Sequence, residues 1–145
     1  MGVRTGQCLC GAVKVKADVS HDVSACHCGQ CQRWTGGGPL YSVPLAGDIE
    51  IDGGETVTSY HASTWGERVS CATCGSTLWW KMQGKPPSFV ALGMLDDQSG
   101  MRVAEEIFVD YRPEWMPPFE GATQSTEAEE MAKLAEWQAT QEGGA

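Results

Sequence analysis

Seven cysteines fall in three short groups: Cys8-Leu9-Cys10-Gly11, Cys26-His27-Cys28-Gly29-Gln30-Cys31 and Cys71-Ala72-Thr73-Cys74-Gly75. An odd number of thiols in such tight groups suits a disulfide framework poorly, and a reducing compartment keeps thiols unpaired. Clustered thiols there point to metal. In an extended strand, residues i and i+2 project from one face, so Cys8 and Cys10 are expected to reach a common ion. A C-x-x-C turn also aims both sulfurs inward, and the glycine after it permits the tight backbone. Cys8, Cys10, Cys71 and Cys74 thus complete the tetrahedron that structural zinc takes, with Zn–S near ~2.3 Å. Such an ion clips the start of the chain to a segment about sixty residues later and makes metal binding part of folding.

Cys26, Cys28 and Cys31 are left over, and their i, i+2 and C-x-x-C spacings let them converge on a second ion. Three protein ligands plus an open position are what a catalytic zinc site keeps. Other readings stay open. His21, His61 or a carboxylate would close the site; Cys28 and Cys31 would serve as a metal-free redox pair; or all seven thiols would share one cluster. His27 lies between two ligands and is expected to point away from the ion. It is the leading acid–base candidate, with an idle exposed loop histidine as the alternative.

The rest of the chain reads as β-rich. "AVKVKA" (Ala12 to Ala17) alternates as a half-buried strand does. "LYSVPL" and "DIEID" follow, separated by Ala46-Gly47; then come "ETVTSY", "STLWWK", "SFVALG" and "EIFVDY", punctuated by glycine turns. No sustained helical period is expected before residue 120. "RPEWMPPFEG" is expected to run extended over the surface. After Ser125, Thr126 and Glu129 have capping-box spacing, with Met131, Leu134 and Ala135 at helical spacing. One short acidic helix is expected there, resting on the core or making a subunit contact in a homo-oligomer. The terminal Gly-Gly-Ala should fray. The domain reading is a zinc β-domain over 1–121, then an acidic helix and tail over 122–145.

The net charge is −9. Residues 1–100 carry 9 acidic and 7 basic side chains, and residues 101–145 carry 10 and 3. That balance repels nucleic-acid backbones and anionic membranes. No apolar run reaches the ~18 residues of a membrane span, and no signal-peptide core is visible. A cytoplasmic, soluble protein is expected.

C-x-C-G, then C-x-C-x-x-C, then C-x-x-C-G resembles the signature of the glutathione-dependent formaldehyde-activating enzyme (GFA) family. The resemblance runs from about Gly6 to Trp115 and includes Arg33, Gly36, Arg68, "LGMLDD" and "IFVDYRPEW". Ser70 departs from it, standing where the family usually has an aromatic residue. The resemblance implies an all-β, Mss4-like zinc-containing domain of twisted antiparallel sheets, here with a short C-terminal helix added. It implies a structural zinc on Cys8, Cys10, Cys71 and Cys74 and a catalytic zinc on Cys26, Cys28 and Cys31. The implied activity is condensation of glutathione with formaldehyde to S-hydroxymethylglutathione, a carbon–sulfur lyase reaction in reverse.

A three-thiolate zinc suits a soft sulfur ligand better than it suits water activation. The expected partners are therefore a small-molecule thiol, glutathione by the resemblance, and an aldehyde. Arg33 and Arg68 are candidates to pair with substrate carboxylates. Trp65, Trp79 and Trp80 are expected as core or rim aromatics, with a substrate wall as the alternative. The competing function is a non-catalytic zinc-stabilised β-domain that binds another protein.

Overall fold

The computed structural model describes residues 1–143. Its elements in chain order are β1 (Gly2–Gln7), β2 (Lys14–Val19), β3 (Asp22–Cys26), α1 (Gly29–Thr35), β4 (Leu40–Asp52), β5 (Val57–Tyr60), β6 (Gly66–Cys71), β7 (Thr77–Met82), β8 (Pro87–Ala91), β9 (Arg102–Ile107), β10 (Thr123–Ser125) and α2 (Glu127–Gly143). Strands make up 43% of the chain, as the all-β expectation requires. Two compact units are formed, one from residues 1–23 and 41–102, the other from residues 24–40 and 103–145.

In the first unit the strands run β1-β2-β4-β8-β7-β6-β5, every neighbour antiparallel. The sheet is twisted and does not close into a barrel. β4 is one strand where the sequence suggested two. Its first half pairs with β8 (Ser42–Pro44) and its second half with β2 (Leu45–Asp52). Ala46-Gly47 sits where the β2 register shifts between Ala17 and Val19. A side chain at Gly47 would lie 2.7 Å from Asp18 Oδ2, so glycine here admits a bulge and not a chain break.

Inward-facing residues form cross-strand rows. Val43 faces Val90, Val90 faces Trp79, and Trp79 faces Val69, all buried. The next residue on each strand gives the opposite face, where Pro44, Phe89, Trp80, Arg68 and Tyr60 are register partners. There Trp80 stacks on Phe89 at 5.6 Å and meets Trp65 edge-on at 5.2 Å. Full burial of each aliphatic core side chain contributes roughly 1.5–3 kcal/mol. Trp79 is therefore core, Trp65 and Trp80 rim.

The second unit holds β3 beside β9, with β10 on the far edge of β9. The β10–β9 pairing is parallel (Thr123↔Glu105 to Ser125↔Ile107), a departure from a purely antiparallel arrangement. "EIFVDY" does not remain extended. Phe108 takes a left-handed backbone (φ 56°), and a single 3-10 turn covers Val109–Tyr111. The proline-rich segment turns as well: Met116 N–H bonds Pro113 C=O at 3.0 Å.

α1 was not foreseen, because its seven residues are too few to show an apolar period. The capping box of α2 is formed: Glu129 N–H donates to Thr126 Oγ1 (3.3 Å), and Thr126 N–H donates to Glu129 Oε1 (3.1 Å). Its apolar residues are less sheltered than their spacing suggested, since Met131 and Ala135 are exposed and Leu134 is half-buried. Of the fraying expected for the Gly-Gly-Ala end, Gly144 and Ala145 lie outside the described residues. No described helix is long and apolar enough to cross a membrane.

Candidate metal centres

The first centre brings Cys8, Cys10, Cys71 and Cys74 together, with all four sulfurs within 4.8 Å of one another. Cys8 and Cys10 do not converge by strand alternation. They sit in a turn after β1, closed by Cys8 N–H to Val13 C=O (3.0 Å) and Gly11 N–H to Cys8 C=O (3.1 Å). Cys71 ends β6, and Cys74 lies in a turn closed by Gly75 N–H to Cys71 C=O (2.9 Å). Gly11 and Gly75 both adopt positive φ (80° and 78°), which an L side chain would resist. Sγ–Sγ distances of 3.6 Å (Cys8–Cys10) and 3.9 Å (Cys10–Cys71) bracket the ~3.8 Å edge of a tetrahedron with ~2.3 Å metal–sulfur bonds.

Hydrogen bonds aim at these sulfurs. Val13 N–H donates to Cys8 Sγ (3.4 Å), Cys74 N–H to Cys71 Sγ (3.5 Å), and Ser76 Oγ lies 3.2 Å from Cys74 Sγ. Ser76 Oγ also accepts from Leu9 N–H (3.0 Å), tying the two turns together. The Ser76 hydroxyl and then its N–H bring the Cys74 thiol down to about 5. At Cys10 the Ala12 N–H favours the thiolate, but desolvation and the adjoining Cys8, Cys74 and Cys71 sulfurs outweigh it and push the thiol up to about 11. Thiols this close cannot all ionise unaided; a dication removes the conflict.

The second centre is Cys26, Cys28 and Cys31, likewise with sulfurs within 4.8 Å of one another. Cys26 ends β3. Cys28 is the N-cap of α1, its Sγ accepting from Cys31 N–H at 3.3 Å. Cys31 lies in the first turn and is buried. The Cys28 and Cys31 sulfurs raise the Cys26 thiol well above its ordinary value, with burial adding to this. Among the described residues no histidine or carboxylate joins the three sulfurs. His21 instead lies 3.2 Å from Arg4, and His61 is 3.9 Å from Glu67. None of the seven cysteines is in a disulfide. Both donor sets fit zinc, and the thiols form two groups rather than one.

His27 is fully buried at 0% exposure, not on an open loop. Its Nε2 is 2.8 Å from Glu106 Oε1, and its Nδ1 has no hydrogen-bond partner among the described residues. Glu106, also 0% exposed, accepts from Phe119 N–H (2.8 Å) and Gln124 Nε2 (2.7 Å) on its other oxygen, Oε2, while Arg112 Nη1 lies 3.4 Å from Oε1, the oxygen that faces His27. Desolvation alone would raise its carboxyl; Gln124, His27, the Phe119 N–H and Arg112 together hold it below the usual carboxylate range. Gln32 Nε2 donates to His27 C=O (2.6 Å) and to Tyr111 C=O (3.1 Å). Sequence reasoning missed Glu106, Gln32 and Gln124. Glu106 lies 79 residues from His27 along the chain, and no local signal announces the pairing. Arg33 is exposed on α1, and Arg68 is buried on β6 three residues before Cys71.

Strands and two cysteine clusters able to hold a metal ion, with donors compatible with zinc, define the class of this β-protein. Residues 3–111 match the profile described as glutathione-dependent formaldehyde-activating enzyme, and the chain belongs to that family. An uncharacterised lyase of Schizosaccharomyces pombe is 28% identical over 111 residues, covering 75% of this chain and 80% of the relative. A Halomonas elongata protein, provisionally named a glutathione-dependent formaldehyde-activating enzyme, is 34% identical over 84 residues, 51% of this chain and 53% of its own length. A solved Rhodobacter sphaeroides structure is similar over 84% of this chain and 99% of that one, at 22% identity and a TM-score of 0.49.

Proposed function

We propose that the chain is a zinc-dependent carbon–sulfur lyase that forms or cleaves a thiol–aldehyde adduct such as S-hydroxymethylglutathione. Family membership and the lyase name of the S. pombe relative support the class. The observation that carries the reading is the second centre, three sulfurs within 4.8 Å that no described histidine or carboxylate completes. On this reading Cys8, Cys10, Cys71 and Cys74 hold a structural ion, and Cys26, Cys28 and Cys31 hold the catalytic one.

Zinc bound by three thiolates supplies a soft Lewis acid that favours the thiolate form of an incoming sulfur. The chain's own residues build the place for it. β3 delivers Cys26, and α1 fixes Cys28 and Cys31 through its N-cap. The thiol sulfur attacks the aldehyde carbon, an S–C bond forms as the C=O π bond breaks, and the thiol proton ends on the new hydroxyl oxygen. Positioning accounts for most of the gain. Complete burial keeps the His27 ring away from substrate, so we assign His27 a positioning part, not proton transfer. Arg33 is exposed and on the same helix as Cys31, which supports our reading of it as the partner of a substrate carboxylate.

The test is Cys31→Ser, assayed by NMR for adduct formation from glutathione and formaldehyde. The variant should keep its circular-dichroism spectrum and lose the acceleration over buffer. A folded variant with an unchanged rate sinks the reading.

A further inference from the structure

Both peptide groups and the ring of His27 are anchored within the second unit. Its N–H donates to Ile107 C=O (3.0 Å), extending the β3–β9 contact by one residue past Cys26. Its C=O accepts from Gln32 on α1, and its ring is held by Glu106. Cys26 and Cys28 are its immediate neighbours, so the two backbone bonds fix the planes of the peptides joining them to His27, and the ring bond fixes the side chain between them. Of the three, only the Glu106 bond reaches the side chain, and it comes from a different strand.

Glu106 itself is satisfied from further along. Arg112, the Phe119 N–H and Gln124 all lie beyond residue 111, where the family match ends. Arg112 Nη1 also donates to Gln124 Oε1 (2.7 Å), closing the network. A fully buried carboxylate is tolerated only when paired and hydrogen-bonded on both oxygens. Here both oxygens are bonded: Oε1 faces the histidine between two thiols and Arg112, and Oε2 accepts from Phe119 and Gln124.

We propose that Glu106 is a positioning residue of the three-thiol centre, acting through His27, and that residues 112–124 are the part of this chain that holds Glu106 in place. The C-terminal segment thereby sets how tightly the second centre holds metal. Groups hydrogen-bonded to a metal's direct ligands commonly change affinity by roughly 10–100-fold when removed, and Glu106, one residue further out, sits at or below the lower end of that range. The proposal rests on the reading of Cys26, Cys28 and Cys31 as a metal site.

The test uses full-length protein loaded with Co²⁺, whose thiolate bands report each centre, and competition against a chromophoric chelator. Glu106→Gln keeps the size of the side chain and removes its charge. It should weaken the three-thiol centre by up to roughly 10-fold and alter its Co²⁺ spectrum, while the four-thiol centre keeps its affinity. Gln124→Ala, which removes one donor from the network, should give a smaller loss at the same centre. Unchanged affinity in both variants overturns the proposal. So does equal weakening of both centres, which would mark a general loosening of the fold. A wild-type protein that binds no second ion is a different failure: it removes the metal-site reading itself, and is seen before any variant is made.

Discussion

Replacing both Cys71 and Cys74 with serine takes the two downstream sulfurs from the four-thiol centre, and the structure sets the cost. Cys71 is 1% exposed and its sulfur lies 3.9 Å from that of Cys10, 61 residues earlier. A metal shared by these residues closes that stretch of chain into a loop. Closing a loop of about sixty residues removes roughly 4 kcal/mol of chain entropy from the unfolded state. For a domain of this size that corresponds to a fall in melting temperature of roughly 8–16 °C. The serines themselves add about 1 kcal/mol, chiefly by placing a hydroxyl where the Cys74 N–H met the Cys71 sulfur. The two effects separate in a four-way comparison of wild type and the Cys71→Ser/Cys74→Ser double variant, each with zinc and after stripping by a strong chelator, melted by circular dichroism. With zinc the variant should melt far below wild type; stripped, the two should nearly coincide. A variant within about 3 °C of zinc-loaded wild type refutes the clip, because ~4 kcal/mol cannot be hidden at that scale. An equally large gap after stripping would place the effect in packing, not metal.

Leu78→Ala, at a fully buried position in β7, should cost about 2–5 kcal/mol in urea unfolding without changing the slope. Thr126→Ala breaks the capping box and should cost α2 about 1 kcal/mol, seen as faster amide exchange in its first turn with little change in the global melt. Glu106 has its folded-state carboxyl below the unfolded value, so its stabilisation is present above about pH 4.3 and is lost as pH falls through the folded value. Acid titration followed by circular dichroism should therefore show a shallower acid limb for Glu106→Gln than for wild type.

Thiol spacing made both centres legible, because C-x-x-C and C-x-C constrain geometry whatever the fold around them. The route to that geometry was less visible. Cys8 and Cys10 meet through a turn, and Cys28 and Cys31 through a seven-residue helix too short to leave a pattern. Lys14–Val19, announced by alternation, and Thr77–Met82, announced by its aromatic and β-branched content, were readable. Asp22–Cys26 and Gly66–Cys71 were not, since short segments with polar inserts match no period well. The His27–Glu106 pair could not be read at all, because a buried hydrogen-bonded pair depends on tertiary contact between distant residues. Thr126 and Glu129 were readable because a capping box is entirely local.

The most direct test of two metal centres is zinc per chain, by elemental analysis of protein purified anaerobically without chelator or a metal-affinity column. The account predicts about two ions in wild type and about one in Cys31→Ser. One ion in wild type, not raised by added zinc, would contradict it.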